Sequence, residues 1–211
     1  QYPWDGDIQI RVMKSAAKNA NLLVRIPGWV QNQVLPSYLY KYSDSERPAY
    51  TVTVNGKKVN ADLTASKGYL PVKNIKKGDI VRIHFDMPVR TVVANQNVKD
   101  DEGRVAVERG PIVYCAEAAD NQGEPVLRAI MSKKPAFSIV NDYKINNTET
   151  KGAAPFAVKA ITTQAQILND SDNGVSLKNQ KLTLIPYYAW NHRGAGEMNV
   201  WFVQSLMMLD K

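Results

Sequence analysis

The sequence predicts an all-β chain, built as a sandwich or barrel and not around helices. Apolar and polar residues alternate over short runs, long helical stripes are missing, and Gly, Pro, Asn and Asp turn signals recur at close spacing. Many short strands punctuated in this way bury one face each and must pack sheet on sheet.

Taken in order, Asp7 to Met13 sets Ile8, Ile10 and Val12 on one face with Gln9 and Arg11 on the other, and Leu22 to Ile26 is a similar run stopped by Pro27-Gly28. Tyr50 to Val54, then Asn55-Gly56, then Lys57 to Val59 reads as a hairpin, because Asn-Gly accepts the positive φ angles of a tight type I′ turn. Gly68 to Val72, Ile80 to Phe85 and Val89 to Ala94 follow, separated by Lys77-Gly78-Asp79 and Met87-Pro88. In Ile80 to Phe85 the alternation places His84 with Ile80 and Arg82, opposite Val81, Ile83 and Phe85, so an outward or inter-domain histidine is expected.

Asn95 to Gly103 is polar and without apolar period, which makes it the candidate domain boundary and divides the chain into 1–103 and 104–211. Beyond it, Arg104 to Glu108 and Ile112 to Ala116 read as strands, with weaker ones at Phe137 to Val140, Phe156 to Thr162, Leu182 to Pro186 and Asn199 to Val203. Asn141 to Ala154 and Asn169 to Gly174 read as loops. Only Lys14 to Asn21 and Thr162 to Leu168 offer a helical turn, too short to reorganise the architecture.

The totals exclude several classes. No apolar run approaches the roughly 18 residues of a membrane helix, and Gln1-Tyr-Pro-Trp-Asp lacks the basic and apolar segments of a secretory signal, so Gln1 reads as a cut point and localisation is left open. The formal charge of +7 invites a nucleic-acid partner, but the basic residues are scattered as pairs such as Lys57-Lys58 and Lys133-Lys134, without a stripe or a recognition motif. Neither nucleic acid nor a membrane is expected as a partner. The single cysteine, Cys115, forms no internal disulfide and reads as a small buried hydrophobe in a strand.

A catalytic set is not legible. Glycosidases commonly place two carboxyl groups about 5–10 Å apart across the sugar, whereas Glu102, Glu108, Glu117 and Glu197 lie on or beside strands with nothing to converge them and are expected to be solvated. One Cys and two His supply too few ligands for a zinc site. Asn169 to Gly174 resembles a calcium loop only faintly, because Gln180 stands where the bidentate glutamate belongs. Asn146-Asn147-Thr148 and Asn169-Asp170-Ser171 match glycosylation acceptors.

The most particular stretch is Leu184 to Trp201, where Tyr187, Tyr188, Trp190, His192 and Arg193 crowd before Gly194-Ala195-Gly196. With Trp4, Trp29 and Trp201, these aromatics either fill cores and seal domain contacts or stack on sugar rings. Tyr187, Tyr188, Trp190, His192 and Arg193 are therefore the candidate inter-domain or sugar-contact patch; no catalytic, cofactor or metal residue is assigned.

Together with Tyr2 to Asp7 (Tyr-Pro-Trp-Asp-Gly-Asp), Arg25 to Trp29 (Arg-Ile-Pro-Gly-Trp) and Arg109 to Cys115 (Arg-Gly-Pro-Ile-Val-Tyr-Cys), that stretch resembles the C-terminal region of glycoside hydrolase family 127, also known as domain of unknown function 1680. The resemblance is densest at Tyr2 to Asp7, Arg25 to Trp29, Gly103 to Cys115 and Ile185 to Trp201, and thin from Asp120 to Lys181. It implies two jelly-roll-like β-sandwich domains in tandem, with the last strand near residues 199–203 returning to the first sandwich. It further implies a parent β-L-arabinofuranosidase acting on plant-type glycans, in which a preceding (α/α)6 barrel carries a cysteine nucleophile in a zinc site of cysteines and a glutamate. Those residues have no counterpart here, so Cys115 does not inherit the nucleophile's role. The expected function is that of a non-catalytic accessory region supporting the barrel, with the barrel, a second copy of the chain or a glycan as partner and a secreted or periplasmic parent. An autonomous carbohydrate-binding module is the alternative.

Overall fold

The computed structural model describes residues 2–15, 20–60, 67–146, 154–171 and 174–206, and it is all-β. The chain divides into two compact units, Gln1–Pro88 and Val89–Lys211.

The first unit contains β1 (Asp7–Arg11), β2 (Ala20–Arg25), β3 (Tyr40–Tyr42), β4 (Tyr50–Val54), β5 (Lys57–Lys58), β6 (Tyr69–Ile75) and β7 (Ile80–Phe85). Its larger sheet runs β1-β7-β4-β5, and β2 pairs with β6 in a second sheet. Alternation decides the faces: Val81, Ile83, Phe85 and Val52 are buried, while Arg82 and His84 between them face solvent. Trp29, in a short 3-10 turn at Gly28–Gln31, packs edge-on to Phe85 with ring centroids 5.7 Å apart. The expected hairpin forms, with Asn55 and Gly56 at φ 50° and 83°. The Asn55 side chain also donates to Asp79 Oδ1 at 2.9 Å and accepts from the Ile80 amide at 3.0 Å, tying that hairpin to the turn before β7. Gly6 is required where β7 ends, because an added Cβ would lie 1.8 Å from the Phe85 carbonyl oxygen.

The second unit contains β8 (Val89–Ala94), β9 (Arg104–Arg109), β10 (Ile112–Glu117), β11 (Ala129–Met131), β12 (Ser138–Ile145), β13 (Phe156–Ser171), β14 (Gly174–Pro186), β15 (Met198–Asn199) and β16 (Phe202–Val203). Pairing passes from β9 through β10, β14, β13, β11 and β16 and returns to β9, so the sheet closes on itself as a barrel-like sandwich. Its interior holds Tyr114, Ile161, Leu182, Leu184, Met131 and Phe202. Adjacent residues on the same strands, Cys115, Ala160 and Ile185, point to a second cluster on the outer side, where Trp190 and Tyr143 pack over them. Strands buried on both faces read as continuous apolar runs, which explains Ile112 to Ala116.

Several expectations change. The unit boundary lies after Pro88 and not at Gly103, because β8 pairs with β9 from Val89↔Arg109 to Val93↔Val105; Asn95 to Gly103 is the loop of that hairpin. The last strand stays in the second unit, with Phe202 opposite Val105 and Val203 opposite Ile130. Thr162 to Leu168 is strand, and β13 and β14 remain paired out to Ser171↔Gly174, well past the runs the alternation picks out. Thr162 to Leu168 lies on the core, with Ala165 and Ile167 buried and paired to β11 while Gln164 and Gln166 between them are exposed; only the ribbon beyond it is held by main-chain pairing without an apolar period. Part of the loop expected at Asn141 to Ala154 is also strand, since β12 continues to Ile145. The helical turn at Lys14 to Asn21 and the acceptor at Asn146-Asn147-Thr148 fall partly outside the described residues, as does the centre of Asn169 to Gly174.

Candidate functional site

The crowded stretch is a loop strapped across the outer cluster of the second unit. Pro186 closes β14, a 3-10 turn spans Tyr187–Ala189, and Asn191 at φ 67° and Gly194 at φ 86° bend the chain back toward β15. This geometry sorts the five candidate residues. Tyr187 and Tyr188 are 46% and 51% exposed, Ala189 between them and Trp190 is buried, and Trp190 packs against the cluster around Cys115 and Ile185. The Tyr187 and Trp190 rings meet at 6.1 Å, tilted by 43°. His192 is half-buried and stands edge-on to Phe156 at 5.8 Å.

Arg193 points inward, away from the tyrosine face. Its Nη1 and Nη2 donate to the two carboxylate oxygens of Asp120, each at 2.6 Å, and Nη2 also donates to Glu117 Oε2. The side chains of Glu117, Asp120 and Arg193 are 5%, 0% and 11% exposed, so the triad is shielded and its desolvation is offset by mutual pairing and by neighbouring donors. The Tyr143 hydroxyl donates to Asp120 Oδ1 at 2.8 Å, and the Asn191 amide donates to Glu117 Oε1 at 3.4 Å. Asn121, buried beside them, donates to the carbonyls of Glu117 and Thr183 and accepts from the Thr183 amide. At the loop's far end the Leu127 amide donates to Glu197 Oε2 at 3.2 Å and Asn199 to the Val126 carbonyl at 3.1 Å.

The electrostatics follow from this wiring. The hydrogen bond to Asp120, opposed by burial and reinforced by Glu117, pushes the Arg193 pKa further up. Burial, with the hydrogen bond and negative charge of Asp120, raises the Tyr143 phenol to about 12. Burial, with the charges of Glu117 and Asp120 opposed by Arg193, raises the Cys115 thiol to about 12, so it is neither a thiolate nucleophile nor a ready metal ligand. Glu117 and Asp120 both serve Arg193 as acceptors, so their oxygens are engaged within the triad. A zinc site of cysteines and a glutamate does not fit: the one cysteine is buried, and its glutamate neighbour is engaged by Arg193. No group of three or more His, Cys, Asp or Glu among the described residues is placed to hold a metal ion.

Glu117 is thus not the solvated acid its sequence context suggests; it is 3% exposed and charge-paired. Asp120 and Tyr143, which complete the hub, carry no motif. The available signal was two carboxylates three residues apart at the end of a strand, with an arginine in the crowded loop. Of the remaining aromatics, Trp29 is a core residue of the first unit, Trp4 is 46% exposed and Trp201 is half-buried. His84 is solvent-facing, bonded through Nδ1 to Asp7 at 2.7 Å and through Nε2 to Asp86 at 3.1 Å.

Two family models match the chain. Residues 1–87 match "Beta-L-arabinofuranosidase, GH127 middle domain" and residues 89–203 match "Glycoside hydrolase family 127 C-terminal domain". Their junction coincides with the division after Pro88. A non-reducing end β-L-arabinofuranosidase of Bifidobacterium longum subsp. longum is 32% identical over 208 residues, covering 94% of this chain and 29% of that protein. Among solved structures, a GH127 β-arabinofuranosidase superimposes with a TM-score of 0.84 at 43% identity, over 98% of this chain and 31% of its own. A GH127 β-L-arabinofuranosidase from Geobacillus stearothermophilus T6 gives 0.72 at 29% identity, over 96% of this chain and 29% of its own. The chain therefore spans less than a third of the length of each of these relatives.

Proposed function

The chain belongs to glycoside hydrolase family 127, and from that membership we infer that it is the non-catalytic accessory region of a longer β-L-arabinofuranosidase-like polypeptide that cleaves plant-type glycans. The catalytic barrel, with the zinc the family uses, lies in the rest of that polypeptide. The observation that carries this reading is the division of labour in the loop from Tyr187 to Glu197. Its arginine, Arg193, is consumed in an inward salt-bridge hub, while Tyr187 and Tyr188 stand exposed on a braced backbone. A rigid aromatic face without chemistry of its own suits a contact surface, since Tyr gives large area at low entropic cost. Its occupant in this reading is the barrel. Homodimerisation of the longer polypeptide belongs to the same proposal and is checked by its sedimentation.

The test is a side-by-side assay of this chain and the longer polypeptide on a chromogenic β-L-arabinofuranoside. Turnover is expected only from the longer polypeptide, and Tyr187→Ala with Tyr188→Ala is expected to lower its thermal stability while leaving the isolated chain's unchanged. Turnover by the chain alone refutes the reading. The exposure of the same two tyrosines favours one alternative, a carbohydrate-binding module. Binding of arabinose-rich polysaccharide by the isolated chain, lost in Tyr188→Ala, would establish that instead.

A further inference from the structure

The first unit carries a second feature that the accessory role does not use. The solvent face of β1, β7 and β4 carries an open, shallow cavity of about 690 Å³, a volume within the range of small-ligand sites. Register fixes its floor. Asp7, His84 and Thr51 form one cross-strand row, and Gln9, Arg82 and Thr53 form the next.

The two rows differ in charge. In the first, His84 bridges Asp7 and Asp86 through its two ring nitrogens, which engages one oxygen of each carboxylate. In the second, Arg82 Nε donates to Gln9 Oε1 at 3.1 Å, which orients the guanidinium. Its two terminal nitrogens make no hydrogen bond or ion pair with any described residue, and the neighbouring Thr53 hydroxyl shares the floor. A guanidinium held by its Nε, with a free fork, matches a planar carboxylate bidentately. No Phe, Tyr or Trp lines the cavity, so the broad aromatic platform of sugar stacking is not its mode of recognition.

We propose that this sheet face is a binding site for a saccharide bearing a carboxylate, a uronic acid unit. Its carboxylate pairs with Arg82, and its hydroxyls bond to Thr51, Thr53 and the open oxygen of Asp7. The carbohydrate class takes its premise from family membership, and the acidic substituent comes from the oriented, unpaired Arg82. The site lies wholly in the first unit and stands or falls independently of the tyrosine face in the second.

The experiment is an NMR titration of the 211-residue chain with digalacturonate, with a neutral arabino-disaccharide and inorganic phosphate as parallel ligands. Digalacturonate is expected to shift the Arg82, Thr51 and Thr53 signals, and Arg82→Gln is expected to weaken it about tenfold or more, the scale of a hydrogen-bonded charge. Because Arg82 is solvent-facing, an unchanged melting temperature confirms that the variant is folded. Equal binding of the neutral sugar overturns the acidic preference, and equal binding of phosphate overturns the saccharide. No shift at these residues, or an unchanged affinity in Arg82→Gln, overturns the site.

Discussion

Replacing Arg193 by methionine removes the cation from a hub in which Glu117 and Asp120 are 5% and 0% exposed, while keeping much of the side chain's volume. Both carboxylates then stay buried without their counter-ion. Breaking one partner out of a buried pair typically costs about 3–5 kcal/mol, and the 11% exposure of Arg193 places the cost near the lower end. Neutralising the acids in the same background, with Glu117→Gln and Asp120→Asn, should recover part of the loss. The assay is urea unfolding read by amide hydrogen exchange in β10 and β14, which reports on the second unit alone. A loss below about 1 kcal/mol at neutral pH would refute the claim that this triad braces the loop.

Gly6→Ala forces a Cβ to within 1.8 Å of the Phe85 carbonyl oxygen, so the two backbones must separate; a loss on the order of 3 kcal/mol is expected in the first unit, seen as early exchange of β7 amides with β10 unaffected. His84 is bonded to Asp7 and Asp86, and the hydrogen bond to Asp7, opposed by partial burial, raises its pKa above the ordinary 6.5. Because the folded value lies above the unfolded one, the bridge contributes most below pH 6.5 and is lost as pH rises through the folded value. An NMR titration of the imidazole should show the raised pKa falling in Asp7→Asn, and a pKa that stays put would remove Asp7 as the cause.

The elements most legible in the sequence are those where one period dominates. Ile80 to Phe85 was readable to the residue, because a sheet with one wet face demands strict alternation, and the Asn55-Gly56 turn was readable because few residues accept its φ angles. Ala129 to Met131 was missed because all three residues are buried and no polar partner marks a face. The tip of the β13–β14 ribbon, from Asn169 to Ser171 and from Gly174 to Asn179, was missed for the opposite reason, since it is largely polar and is held by main-chain pairing.

By itself the sequence determined the all-β class and the family, because composition, turn chemistry and short motifs are local properties. It also placed Tyr187, Tyr188, Trp190, His192 and Arg193 in one group. Only the tertiary structure divided that group into an exposed tyrosine face and a buried charge. Glu117, Asp120 and Tyr143 come to Arg193 from up to 76 positions away, and no periodicity along a chain encodes which distant strand ends will meet. Where one unit stops was decided in the same way: Asn95 to Gly103 has the composition of a linker, and only the ladder between β8 and β9 makes it a hairpin loop.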